Sequence, residues 1–208
     1  MLICAVLEAS RSLPPYPTTF TKPSHAVADH GEDIEVPVWA SKKLDYEGEL
    51  VVVLGRDAKD GSEEEALNYV LGYTAGNDVS ARDWQRDPEL AGQIPQWVYS
   101  KSLDKFAPLG PVLVAAHVLG EANTLDLKTY VNGELRQHGN TADLCFGVRQ
   151  IIAFFSRGAT LPKGTVIMTG TPGGVGLFMK PPTFLKHGDE VSVQIQGIGT
   201  LSNHYYFK

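Results

Sequence analysis

Strand-like patterns dominate the chain. Short runs rich in Val, Ile, Leu and Thr, bounded by Gly, Pro, Asn or Asp, recur along the sequence and are typical of β-strands. They are ELVVVLG (49–55), PVLVAAHVL (111–119), LDLKTYVNGELR (125–136), GTVIMTG (164–170) and EVSVQIQGIGTLSN (190–203). Within the third run, Asn132-Gly133 is a strong signal for a two-residue hairpin turn. The sequence therefore predicts a chain that is mostly β-sheet.

Two segments carry helix signals instead. GSEEEALNYVLG (61–72) has Ser62 as an N-cap, Glu65 three residues later in a capping-box arrangement, and a terminal Gly. TADLCFGVRQIIAFFSRG (141–158) has apolar residues at helical spacing and Gly158 as its stop. Both segments are predicted to be helical.

Composition narrows the class of ligand. The 208 residues fit one sizeable domain, and neither an internal repeat nor a separating linker is visible. The net charge of −6 argues against nucleic-acid or anionic-membrane partners, which favour basic patches. Small molecules are the expected ligands. The Pro-rich stretch 13–23 is predicted to be an extended segment laid over the domain.

The N-terminus and the cysteines bear on location. The first ten residues lack the basic start of a signal peptide and the length of a membrane span. Cys4 and Cys145 are the only cysteines and form no disulfide or metal motif, which favours a reducing compartment. We expect a cytosolic protein, with a mitochondrial location left open.

Three carboxylates form the main candidate site. Glu47 and Glu49 lie two residues apart in the strand-like DYEGELVVVLG (45–55), so their side chains share one face. Asp78 follows a second strand-like run in GYTAGNDVSARDWQ (72–85), before a possible short helix capped by Ser80. An all-oxygen triad suits a hard cation such as Mg²⁺ or Ca²⁺, which would also relieve the repulsion between these charges. A solvated acidic face is the alternative.

Other catalytic patterns are weak. Neither a G-x-S-x-G elbow nor an H-E-x-x-H motif is present, and the six histidines lack metal-like spacing. The glycine-rich GTPGGVG (170–176) is not a P-loop, because no Lys-Ser/Thr pair follows it. It is either a tight turn or a main-chain wall that approaches an anionic ligand.

The ordered set of motifs resembles the fumarylacetoacetate hydrolase family. The resemblance runs from about Pro17 to the end, and SARDWQ and KPPTFLKHGDEV look most like the branch that includes oxaloacetate tautomerases. The motifs are YEGELVVVLG, GYTAGNDVSARDWQ, SKSLDKFAPLGP, VNGELRQ, IMTGTPGGVG and KPPTFLKHGDEV. The resemblance implies a mixed, mainly β fold, that is, a β-roll or barrel of mixed sheets with a few short helices. It also implies one catalytic domain over 17–208, preceded by an atypical segment 1–16 where the family has a lid region.

The resemblance also assigns site residues. The implied metal ligands, for Mg²⁺ or else Mn²⁺ or Ca²⁺, are Glu47, Glu49 and Asp78. The implied catalytic residues, which would add positive charge where an oxyanion develops, are Lys101 and Arg82. The implied substrate-binding residues are Arg82, Gln85, Lys101 and Thr171.

The implied activity passes through a metal-bound enolate of a small 2-oxo or 1,3-dioxo acid in a homodimer. C–C hydrolysis or decarboxylation is favoured, and keto–enol tautomerisation or isomerisation is the alternative, with Lys101 as a proton shuttle if its pKa is lowered.

One departure from the family pattern bears on the reaction. Hydrolases and decarboxylases of the family carry a Gly-x-Asn-Tyr stretch and a lid His near the N-terminus, whereas ICAVLEASRSLPPYP (3–17) contains no histidine. Glu8 is a possible lid acid without that partner. A third reading is therefore a homodimer that binds metal without turnover.

Overall fold

Two five-stranded sheets form the framework of the described part of the chain. The computed structural model describes residues 12–208. Its strands are β1 (Val27–Asp29), β2 (Ile34–Val36), β3 (Leu44–Asp45), β4 (Gly48–Leu54), β5 (Val70–Asn77), β6 (Ser80–Ala81), β7 (Ala107–Ala115), β8 (Asp126–Val131), β9 (Glu134–Asn140), β10 (Val166–Met168), β11 (Glu190–Ile195) and β12 (Gly199–Phe207). The sheets have the orders β1-β7-β5-β4-β10 and β2-β12-β11-β8-β9, and β3 pairs with β6.

Both large sheets are mixed. The β1–β7 and β2–β12 pairs are parallel, and the remaining pairs are antiparallel. The hairpin between β8 and β9 turns at Asn132 (φ 51°) and Gly133 (φ 79°), which confirms the predicted two-residue turn with both central residues in the left-handed region. The expected mixed, mainly β fold with short helices is confirmed.

The main core lies between the two sheets. Alternate residues of β4, such as Leu50 and Val52, pack against Leu127 of β8 and Val193 of β11. Gly48 begins the same face of β4, and a Cβ there would lie 2.1 Å from Thr129 Oγ1. The sheets therefore approach so closely at this point that only glycine fits.

The helices are short and lie mainly at the edges of the sheets. They are α1 (Arg82–Arg86), α2 (Pro88–Ala91), α3 (Trp97–Lys101), α4 (Ala116–Leu119) and α5 (Val148–Ser156). Single 3₁₀ turns are at Ser24–Ala26, Val38–Ala40, Ala66–Tyr69, Thr141–Asp143 and Gly176–Phe178. Within residues 12–208, every helix is too short or too polar to cross a bilayer.

The first predicted helix is largely wrong. Ser62 Oγ does accept a hydrogen bond from the Glu65 N–H at 3.3 Å, as the capping pattern predicts. The chain then forms only the 3₁₀ turn at Ala66–Tyr69 and enters β5 at Val70. Pairing of β5 with β4 and β7 outweighs the local helix signal. Gly72 is therefore a strand residue, not a helix stop.

The other helix boundaries shift as well. The helix predicted over 141–158 begins only at Val148, because a 3₁₀ turn occupies Thr141–Asp143. Ser80 lies in β6 and its hydroxyl donates to the main-chain oxygen of Asp78, so it does not cap α1. The strand predicted over 111–119 ends at Ala115, where α4 follows.

The Pro-rich stretch lies without regular structure over the domain, as predicted. Tyr16 stacks on Phe154 of α5 with ring centroids 5.7 Å apart. Phe20 contacts Trp97 of α3 at 5.9 Å. The segment therefore covers the side of the domain that contains α3. Cys4 and Glu8 lie outside the described residues.

Candidate active site

The predicted carboxylate triad forms where β4 begins and its antiparallel neighbour β5 ends. Glu47 precedes β4, Glu49 is its second residue, and Asp78 directly follows β5. The Glu47 N–H donates to Asn77 Oδ1 at 2.9 Å, and the Asp78 N–H donates to the main-chain oxygen of Glu47 at 2.8 Å. One carboxylate oxygen from each residue lies within 4.8 Å of the other two. Strand pairing thus brings together residues that are about thirty positions apart.

Two cations that the sequence singled out contact the triad. Lys101, the last residue of α3, donates through Nζ to Glu47 Oε2 at 2.9 Å and to Asp78 Oδ2 at 2.5 Å. Arg82, the first residue of α1, donates through Nη2 to Glu47 Oε1 at 2.6 Å. Both side chains are buried. The structure therefore places both predicted catalytic residues on the carboxylates.

Lys22 is a third cation, which the sequence analysis missed. It lies in the Pro-rich segment, and its Nζ donates to Asp78 Oδ1 at 2.7 Å and to the main-chain oxygen of Lys101. Its side chain is only 10% exposed. A lone lysine in a proline-rich stretch carries no local signal, so only the folded chain identifies it as part of the site.

Asp45 is a fourth carboxylate that the sequence analysis left unassigned. It is fully buried, and its Oδ2 accepts from Arg82 Nε at 2.8 Å. It also accepts from the N–H groups of Gly176 (2.8 Å) and Leu177 (3.0 Å). Asp45 therefore holds the Arg82 guanidinium at Nε, while Glu47 binds it at Nη2. The sequence signal that could have identified Asp45 as part of the site is its position two residues before Glu47.

The two glutamates differ in electrostatic environment. Burial alone would raise the pKa of Glu47, but Lys101 and Arg82 outweigh this effect and lower it to about 2. Burial raises the pKa of Glu49 to about 8, and the charges of Asp78 and Glu47 add to that shift. Among residues 12–208, the hydrogen bond that Glu49 receives is a main-chain one, from the Gly170 N–H at 2.6 Å. Among the described residues, Glu49 is therefore the triad carboxylate that no cation contacts directly.

The cations are shifted by the same neighbours. Burial opposes the charge of Lys101, but Asp78 and Glu47 outweigh it and raise its pKa. Burial dominates at Lys22 and lowers its pKa in spite of Asp78. At Arg82 the carboxylates of Glu47 and Asp45 outweigh burial and raise the pKa. Lys101 is thus an ammonium ion here, and the lowered pKa that a proton-abstracting role would require is not seen.

The triad fits a divalent cation by its charge and its donor atoms. Four buried or nearly buried carboxylates, counting Asp45, face the three cations of Lys22, Lys101 and Arg82. With these seven groups ionised, they have one negative charge in excess. The ligand atoms are all carboxylate oxygens, the set that Mg²⁺, Mn²⁺ and Ca²⁺ accept.

The two remaining predicted substrate residues have different surroundings. Gln85 is fully buried and its Oε1 accepts from Arg82 Nη1 at 3.2 Å, while its Nε2 finds no hydrogen-bond partner among residues 12–208. Thr171 is also buried, but its hydroxyl donates to the main-chain oxygen of Gly48 at 3.0 Å and accepts from Gln137 Nε2 at 2.7 Å. Gln85 therefore has a spare donor beside Arg82, whereas the Thr171 hydroxyl hydrogen is already used.

Comparison with known proteins defines the class. The family described as "Fumarylacetoacetate (FAA) hydrolase C-terminal" matches residues 5–205. This chain belongs to that family. The resemblance noted from its motifs is therefore confirmed.

Particular relatives narrow the branch. The chain is 43% identical over 197 residues to oxaloacetate tautomerase YisK of Bacillus subtilis, an alignment that covers 95% of this chain and 64% of that protein. It is 41% identical over 197 residues to the mitochondrial oxaloacetate tautomerase fahd2 of Xenopus laevis, covering 95% of this chain and 60% of that protein. The chain thus spans about three fifths of the length of these relatives.

A solved structure shares the fold and contains a metal. Fumarylpyruvate hydrolase from Pseudomonas aeruginosa, in complex with Mn²⁺ and pyruvate, superposes with a TM-score of 0.87 at 28% identity. The match covers 100% of this chain and 86% of that one. The family thus contains proteins named as tautomerases and as hydrolases.

Proposed function

We propose that this chain is the catalytic part of a divalent-metal-dependent enzyme that interconverts the keto and enol forms of a small 2-oxo diacid such as oxaloacetate. The observation that carries the proposal is the buried, oxygen-only triad with Lys101 and Arg82 against it. The names of relatives at 41–43% identity direct the choice of reaction. Tautomerisation thereby moves ahead of C–C cleavage, which the sequence analysis favoured.

The chemistry agrees with these groups. Keto–enol tautomerisation removes a proton from C3 and adds one to the oxygen on C2, without consuming water. A divalent ion held by Glu47, Glu49 and Asp78 would supply Lewis acidity that stabilises the developing oxyanion. The Lys101 ammonium and the Arg82 guanidinium add fixed positive charge beside the same carboxylates.

C–C hydrolysis or decarboxylation is the second candidate. It is supported by the structural relative named fumarylpyruvate hydrolase, which was solved with Mn²⁺ and pyruvate. The same triad would serve this reaction, since an enolate also forms when the C–C bond breaks. Products distinguish the candidates, because only cleavage releases pyruvate from oxaloacetate or from an acylpyruvate.

The test follows three signals with one protein preparation: enol absorbance, pyruvate release and acylpyruvate loss. Purified protein is given Mg²⁺ or Mn²⁺ and freshly dissolved oxaloacetate, and enol absorbance is followed against the same metal without protein. Pyruvate release and acylpyruvate loss are measured in parallel. Glu49→Gln is the control, since it removes one ligand charge at a position that Lys22, Lys101 and Arg82 do not contact. We expect accelerated tautomerisation in the wild type and at least tenfold less in the control.

Each other outcome has a definite meaning. Pyruvate formation at a rate above tautomerisation would favour the second candidate. Equal rates for the wild type, Glu49→Gln and metal without protein would support the non-catalytic reading.

Two expectations, a homodimer and a cytosolic location, are not tested by this assay. A homodimer would be checked by light scattering during size-exclusion chromatography, and a cytosolic location would be checked by microscopy, since one relative is named as mitochondrial.

A further inference from the structure

Gln137 connects the second sheet to the metal triad. It lies on β9, and its side chain is 1% exposed. Its Oε1 accepts from the Gly48 N–H at 3.0 Å, and its Nε2 donates to Thr171 Oγ1 at 2.7 Å and to the main-chain oxygen of Pro172 at 3.0 Å. The sequence analysis assigned no role to this residue.

These contacts close a ring around one residue. Thr171 Oγ1, which accepts from Gln137, donates in turn to the main-chain oxygen of Gly48 at 3.0 Å. Both main-chain polar groups of Gly48 are therefore held by two side chains that are bonded to each other. Gly48 is the residue between Glu47 and Glu49. A neutral buried ring thus fixes the main chain from which two of the three triad carboxylates project.

The ring also defines what Thr171 can do. A hydroxyl has one hydrogen to donate, and Thr171 gives that hydrogen to Gly48. To donate to a substrate, the hydroxyl would have to leave Gly48 and lose its orientation toward Gln137. The arrangement therefore suits support of the triad better than direct donation to a ligand.

We infer that Gln137 is a positioning residue that, together with Thr171, sets the separation of the Glu47 and Glu49 carboxylates for binding a divalent cation. The inference rests on the proposed metal chemistry of the same triad. Groups that orient metal ligands through hydrogen bonds commonly contribute about 10- to 100-fold to metal affinity. Opening the ring at either residue is expected to have an effect of that size.

The experiment measures Mn²⁺ binding without substrate, by electron paramagnetic resonance of the free ion. Gln137→Met keeps the length of the side chain but loses all three hydrogen bonds, and Thr171→Val loses the hydroxyl. We expect each variant to raise the Kd for Mn²⁺ by about 10-fold or more. The double variant is expected to lie within about threefold of the weaker single variant, because one break already opens the ring.

Two matched controls separate positioning from general damage. Thr129 is the cross-strand neighbour of Gln137, and its buried hydroxyl has no hydrogen-bond partner among residues 12–208. Thr129→Ala removes that hydroxyl without adding bulk beside Gly48, so it should leave the Kd within about threefold of the wild type, and Thr171→Ser, which keeps the hydroxyl, should do the same. Melting temperatures of all variants show whether weaker binding merely follows loss of stability.

The outcomes separate this inference from the proposed function. Wild-type affinity for Mn²⁺ in both Gln137→Met and Thr171→Val would overturn the positioning role of Gln137 and Thr171. A Thr171→Val variant with unchanged Kd but a raised KM would make Thr171 a substrate contact and also overturn it. If Gln137→Met does not fold, the comparison of Thr171→Val with Thr171→Ser decides whether the ring affects Mn²⁺ affinity. Mn²⁺ binding that depends on the ring, without turnover of oxaloacetate, supports the ring and refutes the proposed reaction. A wild type that binds no Mn²⁺ refutes both.

Discussion

At the scale of single residues, Asp45 and Arg82 form a buried ion pair beside the triad. Asp45 Oδ2 accepts from Arg82 Nε at 2.8 Å, and both side chains are at most 5% exposed. Removing one charge from such a pair leaves the other buried without compensation, which usually costs about 3 to 5 kcal/mol. Because Glu47 also binds Arg82, we place the effect near the lower bound. The pair therefore combines a structural role with the orientation of a candidate catalytic residue.

The first prediction concerns Asp45→Asn. The amide keeps the size of the side chain but cannot accept from Arg82, Gly176 and Leu177 at once. We expect the free energy of unfolding in urea to fall by about 3 kcal/mol. Glu35→Gln, which removes an exposed ion pair with Lys208, is the control and should leave the urea midpoint nearly unchanged. An equally small effect of Asp45→Asn would contradict the structural importance of the pair.

The second prediction concerns the titration of Glu49 in protein stripped of metal by a chelator. Its pKa of about 8 in the folded state lies above the ordinary value of 4.5, so the folded state binds more protons between these values. Stability is therefore expected to decrease as pH rises from about 5 to 8, by at most about 1.4 kcal/mol per pH unit. Urea unfolding at several pH values measures this slope.

Glu49→Gln isolates that contribution. The variant has no carboxyl group at this position, so the difference in stability between it and the wild type should grow with pH across the same window. Parallel pH profiles for the two proteins would show that Glu49 does not titrate there. Glu47 affects stability in a different pH range. Its pKa is lowered to about 2, so its ionised carboxylate adds stability that is lost only as pH falls below 4.5.

At the scale of elements, β4 serves two functions on its two faces. Leu50 and Val52 point into the core between the sheets, while Glu49 lies on the opposite face in the site. Gly48 allows the second sheet to approach, because a Cβ there would lie 2.1 Å from Thr129 Oγ1 and 3.2 Å from Val193 Cγ1. The pattern Glu-Gly-Glu thus joins the face that carries the candidate metal ligands to a point of closest packing.

The third prediction follows from that packing. Gly48→Ala is expected to lower the free energy of unfolding by about 2 kcal/mol, since an added methyl group must push the sheets apart. Thr129→Ala in the same chain removes the nearest atom and should restore part of the loss. Gly147→Ala, where a Cβ meets nothing within 4 Å, is the control. A loss at Gly48 no larger than at Gly147 would be inconsistent with the close approach of the sheets.

Local patterns predicted some elements of this chain and failed at others. The hairpin at Asn132-Gly133 and strand β4 follow from turn chemistry and hydrophobic runs, which act within a few residues. Segment 61–72 shows the limit. Its capping contact forms, yet pairing of β5 with two strands, which no local pattern reveals, ends the turn early. The register of a sheet depends on pairing between strands that are far apart in the sequence.

The site shows the same division. Glu47, Glu49 and Asp78 were predictable because the motifs that carry them are short and the chemistry of the side chains is distinctive. Lys22 and Gln137 were not, since Lys22 comes from a segment without a motif and the motif VNGELRQ, which ends at Gln137, gave that residue no role. Family resemblance assigned Thr171 to the substrate, and the structure adds a contact that the motif does not reveal, the donation of its hydroxyl to the main-chain oxygen of Gly48. Orientation of a hydroxyl is visible only in three dimensions.

At the scale of the whole molecule, the candidate metal site depends on the assembly of three parts. β4 and β5 of the first sheet contribute the carboxylates, β9 of the second sheet supports them through Gln137, and the Pro-rich segment contributes Lys22. The unfolded chain holds none of these groups in place. A cation that binds at the triad therefore binds the folded state preferentially and must stabilise it by mass action.

The fourth prediction tests this coupling. Mg²⁺ or Mn²⁺ at about 100 times its Kd should stabilise the wild type by about 2.7 kcal/mol, which raises the Tm of a chain of this size by roughly 5 to 10 °C. Glu49→Gln is expected to lose most of that shift. At pH 8 its metal-free form should melt above the metal-free wild type, because the cost of burying the Glu49 charge and its repulsion by Asp78 and Glu47 are gone. Differential scanning calorimetry with and without chelator measures both quantities.

An equal metal-induced shift of Tm in the two proteins would mean that the ion binds elsewhere. An unchanged Tm in the wild type would refute a metal site at the triad.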